Sequence, residues 1–266
     1  MHRYRLVGWS RWGAMSISGL VLLVAFIIPV LQLGVWAWGV LEEDLSSRYW
    51  GLLWHTLMLG GMAALLTVMG AMVLAFTRRT HNDMAVKSSV NIATLGYALP
   101  GSVLAVGIML TFTSIDNVTA TMMTLVGWQP SGQLLTGTVF ALVVAYMVRF
   151  LAVAYGPIDA GLGRIRASLA EAARGLGANS AATLWHIYIP LLRPGLFTAG
   201  LLVLVDAMKE MPATMLLRPF GWDTLAVRIY EMTSEGEWER AALPAITLIL
   251  VGLIPVMVLV RRSVKH

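Results

Sequence analysis

Six stretches of this chain are each long and apolar enough to cross a bilayer, and that feature fixes most of what it can fold into. In hydrocarbon a spanning segment must satisfy its own backbone hydrogen bonds, so stretches of about 20 apolar residues become helices. They run over roughly 16–40, 52–76, 90–112, 134–155, 196–217 and 241–260. Only 12% of the 266 residues are charged and 58% are apolar, against about a quarter charged in a soluble domain. A soluble globular enzyme, a disordered chain and a nucleic-acid-binding domain are thereby excluded. The chain has no cysteine, which excludes disulfides and thiolate metal sites. The first stretch follows Arg3, Arg5 and Arg11 but is too long for a signal peptide, and no small-residue cleavage site follows it, so a retained helix is expected. The expected fold is an all-α membrane protein of six transmembrane helices.

The placement of Lys and Arg predicts its orientation. With the N-terminus inside, the inner segments hold 13 of the 19 basic residues: Arg3, Arg5, Arg11, Arg78, Arg79, Lys87, Arg164, Arg166, Arg174, Arg193, Arg261, Arg262 and Lys265. The outer segments hold Arg48, Arg218, Arg228 and Arg240, together with nine of the 14 acidic residues. Both termini are therefore expected in the cytoplasm. Residues 1–50 form an N-terminal arm and the first helix, 51–261 the main membrane domain, and 262–266 a tail. The net charge of +5 follows sidedness and implies no nucleic acid.

The longest inner connection runs over 156–195, and a loop of that length is usually functional. Ser168 and Glu171 have the spacing of a capping box, so a helix is expected from Leu169. Leu169, Ala172, Ala173 and Leu176 form one apolar stripe. Gly177 suits the C′ position with positive φ. Asn179 or Ser180 caps a second short helix, 181–189, which Pro190 and Pro194 are expected to stop. The pattern alone fits two structures equally: a hairpin lying along the membrane, and a helix–turn–helix that enters a groove on another protein.

The run Glu171-Ala172-Ala173, three residues, Gly177, nine residues, Ile187-x-Ile189-Pro190 resembles the EAA loop of binding-protein-dependent ABC importer permeases. The one departure is Ile189 in place of Leu. The resemblance implies that the loop at about 157–195 docks into a cytoplasmic ATPase dimer, with Glu171, Ala172, Ala173, Gly177, Ile187 and Pro190 as its coupling residues. It also implies a second permease half, as homodimer or paralogue, and a periplasmic substrate-binding protein.

Charges inside spans cost about 2.5–3.5 kcal/mol each at mid-membrane and normally face a bundle interior or a wet cavity. The fifth span carries Asp206, Lys209 and Glu210. Helical spacing puts Asp206 and Glu210 on one face, with Lys209 in reach of Asp206. Pathway and structural roles weigh equally for these three. Arg149 in the fourth span is a possible partner, and it can also snorkel to the surface. The 206–231 segment resembles ferric-iron importer permeases in K-E-x-P-A-T (209–214), L-L-R-P (216–219) and T-L-A (224–226), as do RFLAV (149–153) and GYALPG (96–101). Permeases of that branch are commonly fused pairs, and this chain looks like the C-terminal half.

The resemblance implies an inner-membrane importer permease, with ferric iron as the expected solute. The alternatives are another solute (sulfate, a polyamine or thiamine) or, from another class, a membrane-embedded enzyme or passive channel. The chain shows no HExxH, GxSxG or Walker A run and its five His are scattered. No catalytic residue, resident metal or cofactor is expected, and ATP hydrolysis falls to another subunit. Leu99-Pro100-Gly101 reads as a packing kink or a hinge in the third span. The loop at 218–240, with Arg228 and Arg240, is expected to seat the binding protein, or to form an interfacial aromatic belt through Trp222, Tyr230 and Trp238.

Overall fold

The computed structural model describes residues 7–81, 83–128 and 132–264. Arg3, Arg5 and Lys265, used in the charge argument, lie outside them. The described residues are helical throughout their ordered elements, with no strand. Six helices are long and apolar enough to span a membrane.

The first, α1 (Trp9–Asp44), has a π-helical turn at Leu23–Ile27, just before Pro29. Proline removes one backbone donor and its ring crowds the preceding turn; a wider turn accommodates both. The same device recurs below at Pro190. The second span is α2 (Ser47–Thr80).

The third span differs from the expectation. A short helix, α3 (Met84–Thr94), passes into a 3₁₀ turn at Leu95–Ala98, and the chain breaks at Leu99–Pro100. The spanning helix is α4 (Gly101–Leu125). Pro100 forces Leu99 into extended backbone (ψ 141°), which ends helix outright rather than kinking it. The stretch beyond residue 112 escaped a hydropathy reading because it holds Asp116, Asn117 and several Thr.

The fourth span, α5 (Val139–Arg164), is the centre of the bundle. Thr138 caps it by accepting from the Ala141 amide, and eleven of its residues are buried, among them Tyr146, Phe150, Ile158 and Leu162. It packs against α2 and against the fifth span, with Ala63, Ala71, Ala75, Ala145, Ala154 and Ala199 in the shared core. Lipid is as apolar as leucine, so membrane helices associate through close packing, and small residues permit it.

Next come α6 (Ala167–Gly175) and α7, which begins at Ser180–Thr183, takes a π turn at Leu184–Tyr188 and continues as Ile189–Met208. The expected stop at Pro190 and Pro194 is not found. The π turn ends two residues before Pro190 and absorbs its missing donor, so the second leg of the loop and the fifth span are one helix. That helix ends at Met208 and a short α8 (Pro212–Leu217) follows. The expected loop at 218–240 is partly helical: α9 (Leu225–Ser234) buries Leu225, Ala226, Val227 and Met232. The last span, α10 (Trp238–Val264), packs on α1 and α9. A smaller core of Ala37, Tyr49, Leu52, Leu225, Ala242 and Leu243 joins α1, α2, α9 and α10.

Candidate functional site

Two broken helices and one half-buried arginine meet inside the bundle. Pro212 cannot donate to Met208, so the fifth span stops there and the chain turns through Lys209–Met211 before α8. The break separates residues that a continuous helix would align. Asp206 and Glu210 do not share a face. Asp206 stays on the side of the bundle, where its Oδ1 lies 2.9 Å from Lys209 Nζ; the Lys209 side chain is 62% exposed. Glu210 turns inward and is 7% exposed.

Inside, Glu210 Oε2 lies 2.9 Å from Arg149 Nε, an ion pair without an aligned hydrogen bond. Its other oxygen accepts from the Ala213 amide at 3.3 Å. Arg149 Nη1 donates to the Leu99 carbonyl at 2.9 Å, at the break in the third span. Arg149 is thus internal and does not snorkel. Behind the pair, the Tyr146 hydroxyl bonds Thr214 Oγ1, and Thr214 donates to the Glu210 carbonyl. A Cβ at Gly101 would collide with Glu210 Oε1 and reach within 3.1 Å of Arg149 Nη1. A side chain at position 101 would have to push the Glu210 carboxylate away from its place beside Arg149.

Hydropathy does not single out Asp116, which lies beyond the apolar stretch that ends near residue 112. It is buried and accepts from the amides of Leu134, Leu135 and Thr136 at 2.9–3.3 Å, which ties the approach to α5 onto α4. A lone acid in a membrane helix was the available signal.

At one end of the bundle stands the helix–turn–helix. α6 begins at Ala167, two residues before the expected start, so Ser168 sits inside its first turn. Gly177 has φ +85°. The Ala178 amide bonds the Ala173 carbonyl at 3.0 Å and the Leu176 amide bonds Ala172 and Ala173 at 3.1 Å. That is a Schellman turn with Gly177 at C′. Asn179 Oδ1 accepts from Ala182 N at 2.7 Å and caps the second leg. Glu171, Ala172 and Gly177 are exposed, Ala173 and Ile187 half-buried, and Pro190 exposed. Leu176, at the tip, is 90% exposed. The structure therefore presents the motif outward instead of folding it onto its own spans.

The opposite end is stitched by ion pairs. Arg240 is not a free docking cation: its Nη2 lies 2.7 Å from Asp44 Oδ1, its Nε 3.2 Å from both Asp44 oxygens, and its Nη1 3.1 Å from Glu237. It clamps the end of α1 to the start of α10. Arg218 pairs with Asp223 and with Glu231 (2.9 Å), and Arg228 lies 3.7 Å from Glu231. His55 stacks on Trp222 at 4.8 Å, so that tryptophan belongs to the bundle and not to a lipid-facing belt. Phe220, between Pro219 and Gly221, is fully exposed.

Residues 79–265 match the family model described as the binding-protein-dependent transport system inner membrane component. The chain belongs to that family. It is a permease: a multi-pass transport protein of the inner membrane and not an enzyme, ATP hydrolysis belonging to a separate subunit in this family. The permease is 29% identical over 218 residues to the 2-aminoethylphosphonate transport system permease PhnV of Salmonella typhimurium, covering 82% of this chain and 76% of that one. It is 26% identical over 250 residues to the Fe(3+)-transport system permease FbpB 2 of Haemophilus influenzae, covering 92% of this chain and 46% of that one. Its fold matches a bacterial alginate ABC transporter crystallised with an alginate-bound periplasmic protein, at TM-score 0.74 and 17% identity over 94% of this chain and 92% of that one.

Proposed function

We propose that this permease carries ferric iron, handed over by a periplasmic binding protein, along a path that passes the break in the fifth span. The observation behind the path is the Asp206–Lys209 pair, charged and partly exposed on the flank of a membrane helix. Such a pair is expensive against lipid and inexpensive against a wet path or a second permease half. Two halves would enclose the path. The termini and the helix–turn–helix would face the cytoplasm, with Glu171, Ala172, Ala173, Gly177, Ile187 and Pro190 forming the surface that docks an ATPase dimer. The opposite end, through Arg228 and the exposed Phe220, would receive the binding protein. ATP binding would favour one of two bundle states and so drive alternating access.

Iron is supported by the likeness of the 206–231 segment to ferric permeases and by the Haemophilus relative. Asp206 and Glu210 are each already paired with a cation, so neither stands ready as a strong metal ligand. Passage then rests on weak contacts, and capture on the binding protein. A second solute, a phosphonate, is favoured by the Salmonella relative, which this chain covers over a larger share of its length.

Uptake of radiolabelled ferric iron and of 2-aminoethylphosphonate, measured in cells with and without this permease, separates the two. Permease-dependent iron uptake that excess phosphonate does not reduce supports iron; permease-dependent phosphonate uptake alone overturns it. For the path, Asp206→Asn is expected to cut uptake of the transported solute several-fold at unchanged permease level, because an exposed pair of this kind holds the fold by at most about 1 kcal/mol. Equal losses of uptake and protein would return Asp206 to a structural role.

A further inference from the structure

The last turn of α2 carries two adjacent arginines that nothing in the transport path uses. Arg79 Nη2 donates to the Ile165 carbonyl. Ile165 is where α5 has just ended, in extended backbone (φ −84°, ψ 121°), one residue ahead of Arg166 and the start of α6. The same guanidinium stands 5.9 Å over the ring of Tyr188, in the π turn of α7. Phe76, one turn earlier on α2, packs edge-on against that ring at 5.5 Å. One side chain therefore holds the joint before the first leg of the helix–turn–helix and the root of the second leg. Both contacts are sheltered: Ile165 and Tyr188 are 8% and 5% exposed. Beside it, Arg78 Nη1 donates to the Tyr155 hydroxyl at 3.2 Å, and that hydroxyl donates to Asp159 at 3.1 Å, so α2 and α5 are tied at the same level.

α6 has little other purchase on the bundle, whereas the second leg is also seated by the buried Thr183 and by Leu184 against the main core. No residue of α6 with a described side chain is buried. A push on α6 reaches the spans through its two ends, and rigid joints transmit displacement where loose ones absorb it.

We propose that Arg79 is the positioning residue through which movement of the helix–turn–helix is passed to α2 and α5, acting on both legs through the Ile165 carbonyl and the Tyr188 ring. This rests on the assignment of that element as the ATPase-docking loop. A guanidinium suits the task because it can donate along its plane to a carbonyl while its face lies on an aromatic ring.

The absence of native cysteine makes a single reporter clean. In the permease assembled with its ATPase, Phe220→Cys at the opposite end is labelled by a membrane-impermeant maleimide, with and without ATP and vanadate. In this parent, trapping is expected to change the labelling rate about fivefold, the low end of an allosteric coupling. Arg79→Ala and Tyr188→Leu should each abolish that response while the ATPase still co-purifies at the parent's stoichiometry. Tyr188→Phe, which keeps the ring face, should retain it. A full response in Arg79→Ala, or loss of the ATPase together with the response, overturns the proposal, the second because Arg79 would then only maintain the shape of the loop. A parent that binds its ATPase and shows no response overturns the proposal by showing that no movement is passed on. A parent that binds no ATPase removes the docking assignment itself.

Discussion

Glu210→Ala is expected to destabilise the permease by about 3–5 kcal/mol, the cost of stranding one member of a buried ion pair. The side chain is 7% exposed, and its removal leaves the Arg149 guanidinium with only the Leu99 carbonyl and the face of the Phe150 ring. It also removes the acceptor for the Ala213 amide at the start of α8. Two helix breaks lose their common tie. Glu210→Gln should cost less, because the amide oxygen can still accept from Ala213 while only the charge is lost. Replacing both partners, Arg149→Met with Glu210→Leu, should recover most of the stability, since a well-packed apolar pair is often no worse than a buried salt bridge. Thermal unfolding of the detergent-solubilised protein measures all three. A loss below about 1 kcal/mol for Glu210→Ala, the size of an exposed pair, would show that the pair is not desolvated.

Gly177→Val is expected to abolish uptake and ATPase co-purification while leaving the membrane bundle assembled. At φ +85° a residue bearing a Cβ costs about 1–2 kcal/mol, and more when β-branched. The turn is closed by the Ala178–Ala173 and Leu176–Ala172 bonds. Relieving the strain means breaking them, which re-aims the second leg relative to α6. Nothing lies within 4 Å of where the new Cβ would sit, so the effect is conformational and not steric crowding. Gly177→Asn should therefore keep most of the activity, because asparagine tolerates this region. Equal behaviour of the Val and Asn variants would mean that the turn geometry is not what the partner recognises.

How much of this was legible from residues alone differs by element. The number of spans and their helical character followed from hydropathy, because a bilayer leaves so few alternatives. Gly177 was legible as a left-handed corner because an Ala-rich stripe ended on it. Four features were not legible, each for a local reason. Pro100 and Pro212 broke helices that apolar periodicity ran straight through; hydropathy records the polarity of a stretch and not the continuity of its backbone. Pro190 and Pro194 did the reverse, since the π turn at Leu184–Tyr188 let the helix pass. Within the broken span, the i, i+4 spacing of Asp206 and Glu210 lost its meaning, and Arg149 became the partner of one of them. The Asp44 partner of Arg240, 196 residues away, is equally out of reach of a sequence that shows charge and not distance.

The measurement that tests the account most directly is a cross-link from the tip of the helix–turn–helix. Leu176→Cys, at the 90% exposed tip of that element, is coupled to a short photo-reactive group in membranes that hold the permease and its ATPase. An adduct is expected between the group at position 176 and the ATPase, and none from the same group at Phe220→Cys on the opposite end. An adduct from Phe220 in place of Leu176 would contradict both the orientation of the bundle and the role given to residues 167–195.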